Sequence, residues 1–212
     1  MKTKILLSFA ILFFIAITTQ GQITEGKYLL GGAFSLYSAT NQNSNAVYAN
    51  IQFGKVVKEN TVVGVLGSVA VSNMNYLSSK YKISNYGAGI FYRKYKPLGK
   101  KIYFLQEIAA LYQHSNDVQT YFLNVDQSLE TKTNGFSISY IPGISYAVSK
   151  RMQMELTMPN LATVSYTSIK TIDSRLPSGV SPKKANSISA NVNLNASLIN
   201  NFAIGFKVLL GK

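Results

Sequence analysis

The stretch SISANVNLNASLINNFAIGFKVLL, Ser187–Leu210, decides how the chain is built. Its even positions carry Ile188, Ala190, Val192, Leu194, Ala196, Leu198, Phe202, Ile204, Phe206, Val208 and Leu210, interrupted only by Asn200. The odd positions are mostly small or polar, among them Ser189, Asn191, Asn193, Asn195, Ser197, Gly205 and Lys207. A repeat of two marks a strand whose side chains alternate between two faces, here one apolar and one small or polar. A two-residue turn at Asn200-Asn201 would set even positions opposite odd ones and break the parity across a hairpin. The spacing therefore predicts one long strand.

The same alternation recurs upstream. Met152, Met154, Leu156 and Met158 interleave with Gln153, Glu155 and Thr157, and Val47, Ala49, Ile51 and Phe53 with Tyr48, Asn50, Gln52 and Gly54. Eight strands are predicted, over 27–39, 46–57, 61–72, 82–95, 101–114, 133–148, 152–170 and 187–210. Three connections are tight: 58–60, 96–100 and 149–151. The other four, 40–45, 73–81, 115–132 and 171–186, are generally longer and rich in Asn and Ser. Tight and long connections alternate, so all tight turns fall at one end and all long loops at the other, the layout of an outer-membrane barrel.

Composition agrees. Hydrophobic residues make up 47 % of the 212 and charged residues 14 %, against about 25 % charged in ordinary soluble domains. That balance excludes a disordered chain. The absence of cysteine excludes disulfides, a thiolate metal site and a lipid anchor. Near the start, Lys2 and Lys4 precede an apolar run from Ile5 to Ile17, and Thr19-Gln20-Gly21 supplies small residues for cleavage. Residues 1–21 are read as a cleavable signal peptide, the run being shorter than the ~20 residues of a membrane span. Residues 22–212 are read as one all-β domain, an eight-stranded antiparallel up-and-down transmembrane barrel.

Alternation also fits a soluble periplasmic barrel whose apolar face turns inward around a small apolar ligand. Residue size separates the two. A water-facing exterior carries Lys, Glu, Arg and Asp, whereas the polar face here carries Gly, Ser, Ala, Asn and Thr, which suit the inside of a narrow barrel. With the apolar face outward, Tyr28, Tyr92, Tyr112, Tyr146 and Tyr166 can form an aromatic girdle. Arg93, Glu107, Glu155 and Lys207 then point inward. Unpaired charge there would cost several kcal/mol, so these four are expected to form a salt-bridge plug in a closed, side-chain-filled lumen. Such a lumen argues against a general porin.

Several phrases carry a family likeness: Leu30-Gly31-Gly32 in the first strand, Tyr92 to Lys100 across the second turn, Tyr103-Phe104-Leu105-Gln106-Glu107, and the closing Phe202-Ala203-Ile204-Gly205-Phe206. With the exported start, the chain resembles the outer-membrane β-barrel proteins of Bacteroidetes-type bacteria, PorT-like and OmpA-like. The resemblance implies residence in the outer membrane of a Gram-negative cell, insertion by the barrel-assembly machinery, and an accessory role beside envelope or secretion proteins.

Chemistry is sparse. His114 is the lone imidazole, beside Ser115 and Asp117, and could serve a lipid A-modifying hydrolase. Adjacent strand residues point to opposite faces, so the three do not converge without a bulge. One His and eight scattered carboxylates offer no metal-ligand spacing, and Gly87-Ala88-Gly89 lies inside a strand rather than before a helix, so no cofactor is expected. The net charge of +13 gathers at connections: Lys55, Lys58, Arg93, Lys94, Lys96, Lys100, Lys101, Lys150 and Arg151 at one end, Lys80, Lys82, Lys132, Lys170, Arg175, Lys183 and Lys184 at the other. Two basic collars suit lipid and lipopolysaccharide phosphates rather than nucleic acid. The expected role is structural, adhesive or accessory, through loops 115–132 and 171–186.

Overall fold

A computed structural model describes residues 23–39, 44–76, 79–121, 127–159, 161–174, 182–192 and 203–211. The expected signal peptide lies outside them. Ten strands follow one another: β1 (Tyr28–Ala39), β2 (Ser44–Lys58), β3 (Thr61–Asn75), β4 (Ser79–Pro97), β5 (Ile102–Tyr121), β6 (Gln127–Ala147), β7 (Met152–Thr157), β8 (Ala162–Asp173), β9 (Lys183–Val192) and β10 (Ala203–Leu210). No helix occurs among the described residues. Each strand from β1 to β6 pairs antiparallel with the next, β7 joins β6 to β10, and β10 pairs with β1, so the sheet closes on itself. A closed sheet leaves no unpaired edge along this ring.

The first tight turn shows why the chain reverses where it does. Asn60 takes a positive φ of 59°, the left-handed conformation that asparagine tolerates, directly between the paired ends Lys58 and Thr61.

Strands run further than expected at the opposite end. Loop 115–132 is largely sheet, because β5 and β6 stay in register from Ile102↔Tyr146 up to Tyr121↔Gln127. Likewise β3 runs on to Asn75 and β4 begins at Ser79, while β8 runs on to Asp173 and β9 begins at Lys183. Apolar alternation stops partway up each strand, but the backbone ladder continues. Pairs such as Asn116↔Lys132 and Asp117↔Thr131 carry polar side chains on both strands and need no apolar face.

The predicted strand over 152–170 is interrupted between Thr157 and Ala162. Opposite that break β6 carries Pro142, which lacks an N–H. Its carbonyl still accepts from Met158 N at 2.9 Å, but β6 advances three residues, from Tyr140 to Gly143, while its partner advances five. Pro159 sits in the excess. A proline in each facing segment turns a ladder into a bulge. The single strand expected over 187–210 is likewise β9 and β10, and the residues between them, Asn200-Asn201 included, lie outside the described set.

Faces are as the parity dictates. Ile51, Val65, Ile90, Ile108, Ile138, Val164, Ile204 and Phe206 are all exposed, giving an apolar band outside. Four expected girdle residues, Tyr28, Tyr92, Tyr112 and Tyr166, are exposed on it, and Tyr28 stacks on Phe53 with ring centroids 5.7 Å apart. Along β6 the band runs from Tyr146 to Phe136, ten residue steps or roughly 33 Å of strand. At a tilt of about 40° that rises roughly 25 Å, the height of a barrel's lipid-facing zone.

Inside the turn end sits an apolar plug of Leu29, Val56, Val62, Phe91, Tyr95, Tyr103, Leu105, Ala147 and Leu209, all nearly inaccessible. Ile23 closes it from below. The segment before β1 hooks under the barrel by way of Gly26 at φ 85°, with Gly26 N donating to Val56 O and Asn60 N to Ile23 O. Gly54 and Gly64 leave the space that Phe91 occupies, since a Cβ on either would press into its ring.

Candidate functional site

Above the plug lies the charge cluster. Arg93 from β4, Glu107 from β5, Glu155 from β7 and Lys207 from β10 all enter the lumen and are buried, at 2, 2, 2 and 6 % exposure. Arg93 pairs directly with Glu107, its Nε donating at 2.6 Å, and its Nη1 donates to Glu155 at 3.1 and 3.2 Å. The guanidinium also lies 5.4 Å from the Phe91 ring centroid and 5.9 Å from that of Tyr95, so its faces meet aromatic quadrupoles while its edges meet carboxylates. Arg93 and Lys101, placed in the turn-end collar by sequence, are instead buried. The other collar lysines there, including Lys55, Lys94 and Lys150, are exposed.

Two members were not singled out from the sequence. Gln52 Oε1 accepts from Arg93 Nη2 at 2.8 Å and from Lys207 Nζ at 2.5 Å, while its Nε2 donates to Glu107 at 3.3 Å. The Tyr95 hydroxyl donates to Glu155 at 2.8 Å and accepts from Arg93 at 3.1 Å. Lys207 thus reaches the acids through an amide rather than directly. Its stem lies where a Cβ of Gly31 would be, so glycine on β1 makes room for it. Beneath, Ser145 donates to Gln153 at 2.8 Å.

The expectation of a side-chain-filled lumen holds only for the turn-end half. Above the cluster the small residues of the inward face leave a cavity of about 830 Å³, lined by Tyr48, Asn50, Ser68, Asn85, Gln113 and Ser137 among others. A lumen lined by serine and glycine is open for the reason it looked narrow: nothing large projects into it.

His114 and its neighbours separate as alternation requires. The His114 ring meets Asn134 Oδ1 at 2.8 Å, joined by the Tyr112 hydroxyl at 2.9 Å, while Ser115 donates to Asp117 at 2.6 Å. Among the described residues no three His, Asp or Glu side chains converge as metal ligands.

A closed antiparallel sheet, apolar outside and polar inside, with one end of the lumen sealed, defines the class as a β-barrel of the membrane type. No family model matches the chain, and no curated protein does either. Among solved structures it is similar to a major outer membrane protein from Thermus thermophilus, with a TM-score of 0.50 and 9 % identity, over 87 % of this chain and 99 % of that one. At such identity the likeness speaks for the fold, which is that of an outer membrane protein.

Proposed function

We propose that this protein is an eight-stranded barrel of the outer membrane, in which β7 with β8 and β9 with β10 each make one wall strand. Residues 1–21 direct its export, and it belongs with the PorT-like and OmpA-like barrels that its sequence resembles. It does not pass solutes and is not an enzyme. Its role is structural, adhesive or accessory to envelope or secretion proteins, exercised by the strand ends that rise past the apolar band. The barrel-assembly machinery inserts it, and the lysine collars meet lipid and lipopolysaccharide phosphates.

The observation that carries this reading is the apolar band, since a water-soluble protein rarely exposes so large a contiguous apolar surface. The apolar plug and the charge cluster supply the reason for non-conduction. The test is fractionation followed by refolding. The protein is expected to stay with outer membranes after osmotic shock, to show heat-modifiable gel migration when refolded in detergent, and to give no conductance steps in planar bilayers. Release by osmotic shock would refute the membrane assignment, and steady porin-like conductance would refute the sealed lumen.

A further inference from the structure

We infer that the cavity above the charge cluster is a binding site for a neutral saccharide. The lining makes three separate demands on an occupant.

Charge comes first. Arg93, Lys207, Glu107 and Glu155 are the charged residues at the cavity, two of each sign. The guanidinium nitrogens are already engaged by Glu107, Glu155, Tyr95 and Gln52, and Lys207 by Gln52. With two charges of each sign, and both carboxylates held by Arg93, the lining has no net charge to select an anion or a cation.

Hydrogen bonding comes second. The wall offers hydroxyls and amides in alternation: Ser68, Asn85, Gln113, Ser137, Thr167 and Asn191. The Asn85 carbonyl oxygen is buried and has no partner among the described residues, an acceptor waiting for a donor. A ligand rich in hydroxyls, each donor and acceptor at once, answers such a wall.

Shape comes third. Tyr48 lines the cavity and is 44 % exposed, and Leu66 and Leu111 add apolar patches. Sugar rings have apolar C–H faces that lie on such surfaces, and about 830 Å³ is within the usual size of a ligand pocket.

The test uses full-length protein refolded in lauryldimethylamine oxide, because glycoside detergents would compete. Maltotriose and triacetylchitotriose are titrated calorimetrically, with sialyllactose and inorganic phosphate as charged comparisons. At least one neutral trisaccharide is expected to bind saturably with a Kd of about 1 mM or tighter. Ser137→Phe, which fills the cavity, should weaken it at least about tenfold, and Asn85→Leu, which keeps the volume but removes the unpartnered acceptor, should weaken it about threefold or more. Heat-modifiable migration reports folding of each variant separately, and if Ser137→Phe fails to fold, Asn85→Leu decides. The inference is overturned if folded wild type binds neither neutral sugar. It is equally overturned if the folded variants bind as wild type does, or if sialyllactose or phosphate binds more tightly than the neutral sugars.

Discussion

Replacing Arg93 by methionine tests the charge cluster most directly. The guanidinium is the shared partner of Glu107 and Glu155, and Arg93→Met strands both carboxylates at 2 % exposure. Breaking a buried pair by removing one partner costs about 3–5 kcal/mol. With a urea m-value of about 2 kcal/mol/M, the unfolding midpoint should fall by roughly 2 M. The assay is equilibrium urea unfolding in detergent, followed by the loss of the compact band on unheated gels. Removing every charge should undo most of the damage: Arg93→Met with Glu107→Gln, Glu155→Gln and Lys207→Met leaves neutral groups of similar volume, and such exchanges are often close to neutral. A midpoint shift below roughly 0.5 M for the single variant would refute the reasoning. So would a fully neutralised barrel no more stable than the single variant.

Other residues give sharper local tests. Gly31→Ala drives a methyl into the Lys207 stem and should destabilise the barrel by about 1–3 kcal/mol; Lys207→Ser in the same chain should restore the urea midpoint. Phe91→Ala empties the centre of the turn-end plug and should cost about 3–5 kcal/mol in the same unfolding assay. Ile90 lies on the outer band at 62 % exposure, so Ile90→Arg should cost about 2–4 kcal/mol when the protein is refolded in lipid. Gln113→Arg, facing the cavity from the neighbouring strand, should leave that midpoint nearly unchanged.

Parity was legible because a period of two survives any tertiary context in which one face meets lipid and the other does not. The side of the sheet on which Arg93, Glu107, Glu155 and Lys207 meet follows from it directly. Strand ends were not legible in the same way. Above the band Asn116, Asp117 and Lys132 pair without an apolar face, and hydrogen-bonded ladders leave no hydropathy signal. The interruption at Pro159 could have been suspected from Pro142, since neither proline can donate to a ladder. The plug had a signal too. Leu29-Leu30, Val56-Val57, Val62-Val63, Phe91-Tyr92 and Leu209-Leu210 are apolar doublets at the turn ends of five strands. Alternation fails there because both faces are apolar, one for the exterior and one for the stopper. Gln52 had none: an inward amide between Asn50 and Gly54 looks like any other polar lumen residue until its neighbours are placed.

The membership of the cluster constrains the order in which the protein can be built. Gln52, Arg93, Glu107, Glu155 and Lys207 come from β2, β4, β5, β7 and β10, and the Gln52–Lys207 bond spans 155 positions of chain. No hairpin formed early holds more than the Arg93–Glu107 pair, so a partly assembled sheet carries acids and bases that need water. Only when β10 docks against β1 and brings Lys207 past Gly31 are all of them satisfied and the interior free to dry. Contacts this distant in sequence make such a step slow. Dehydration of the charge cluster is therefore the last event of assembly, and a chain lacking its final strand should linger as a wet, open sheet rather than a smaller barrel.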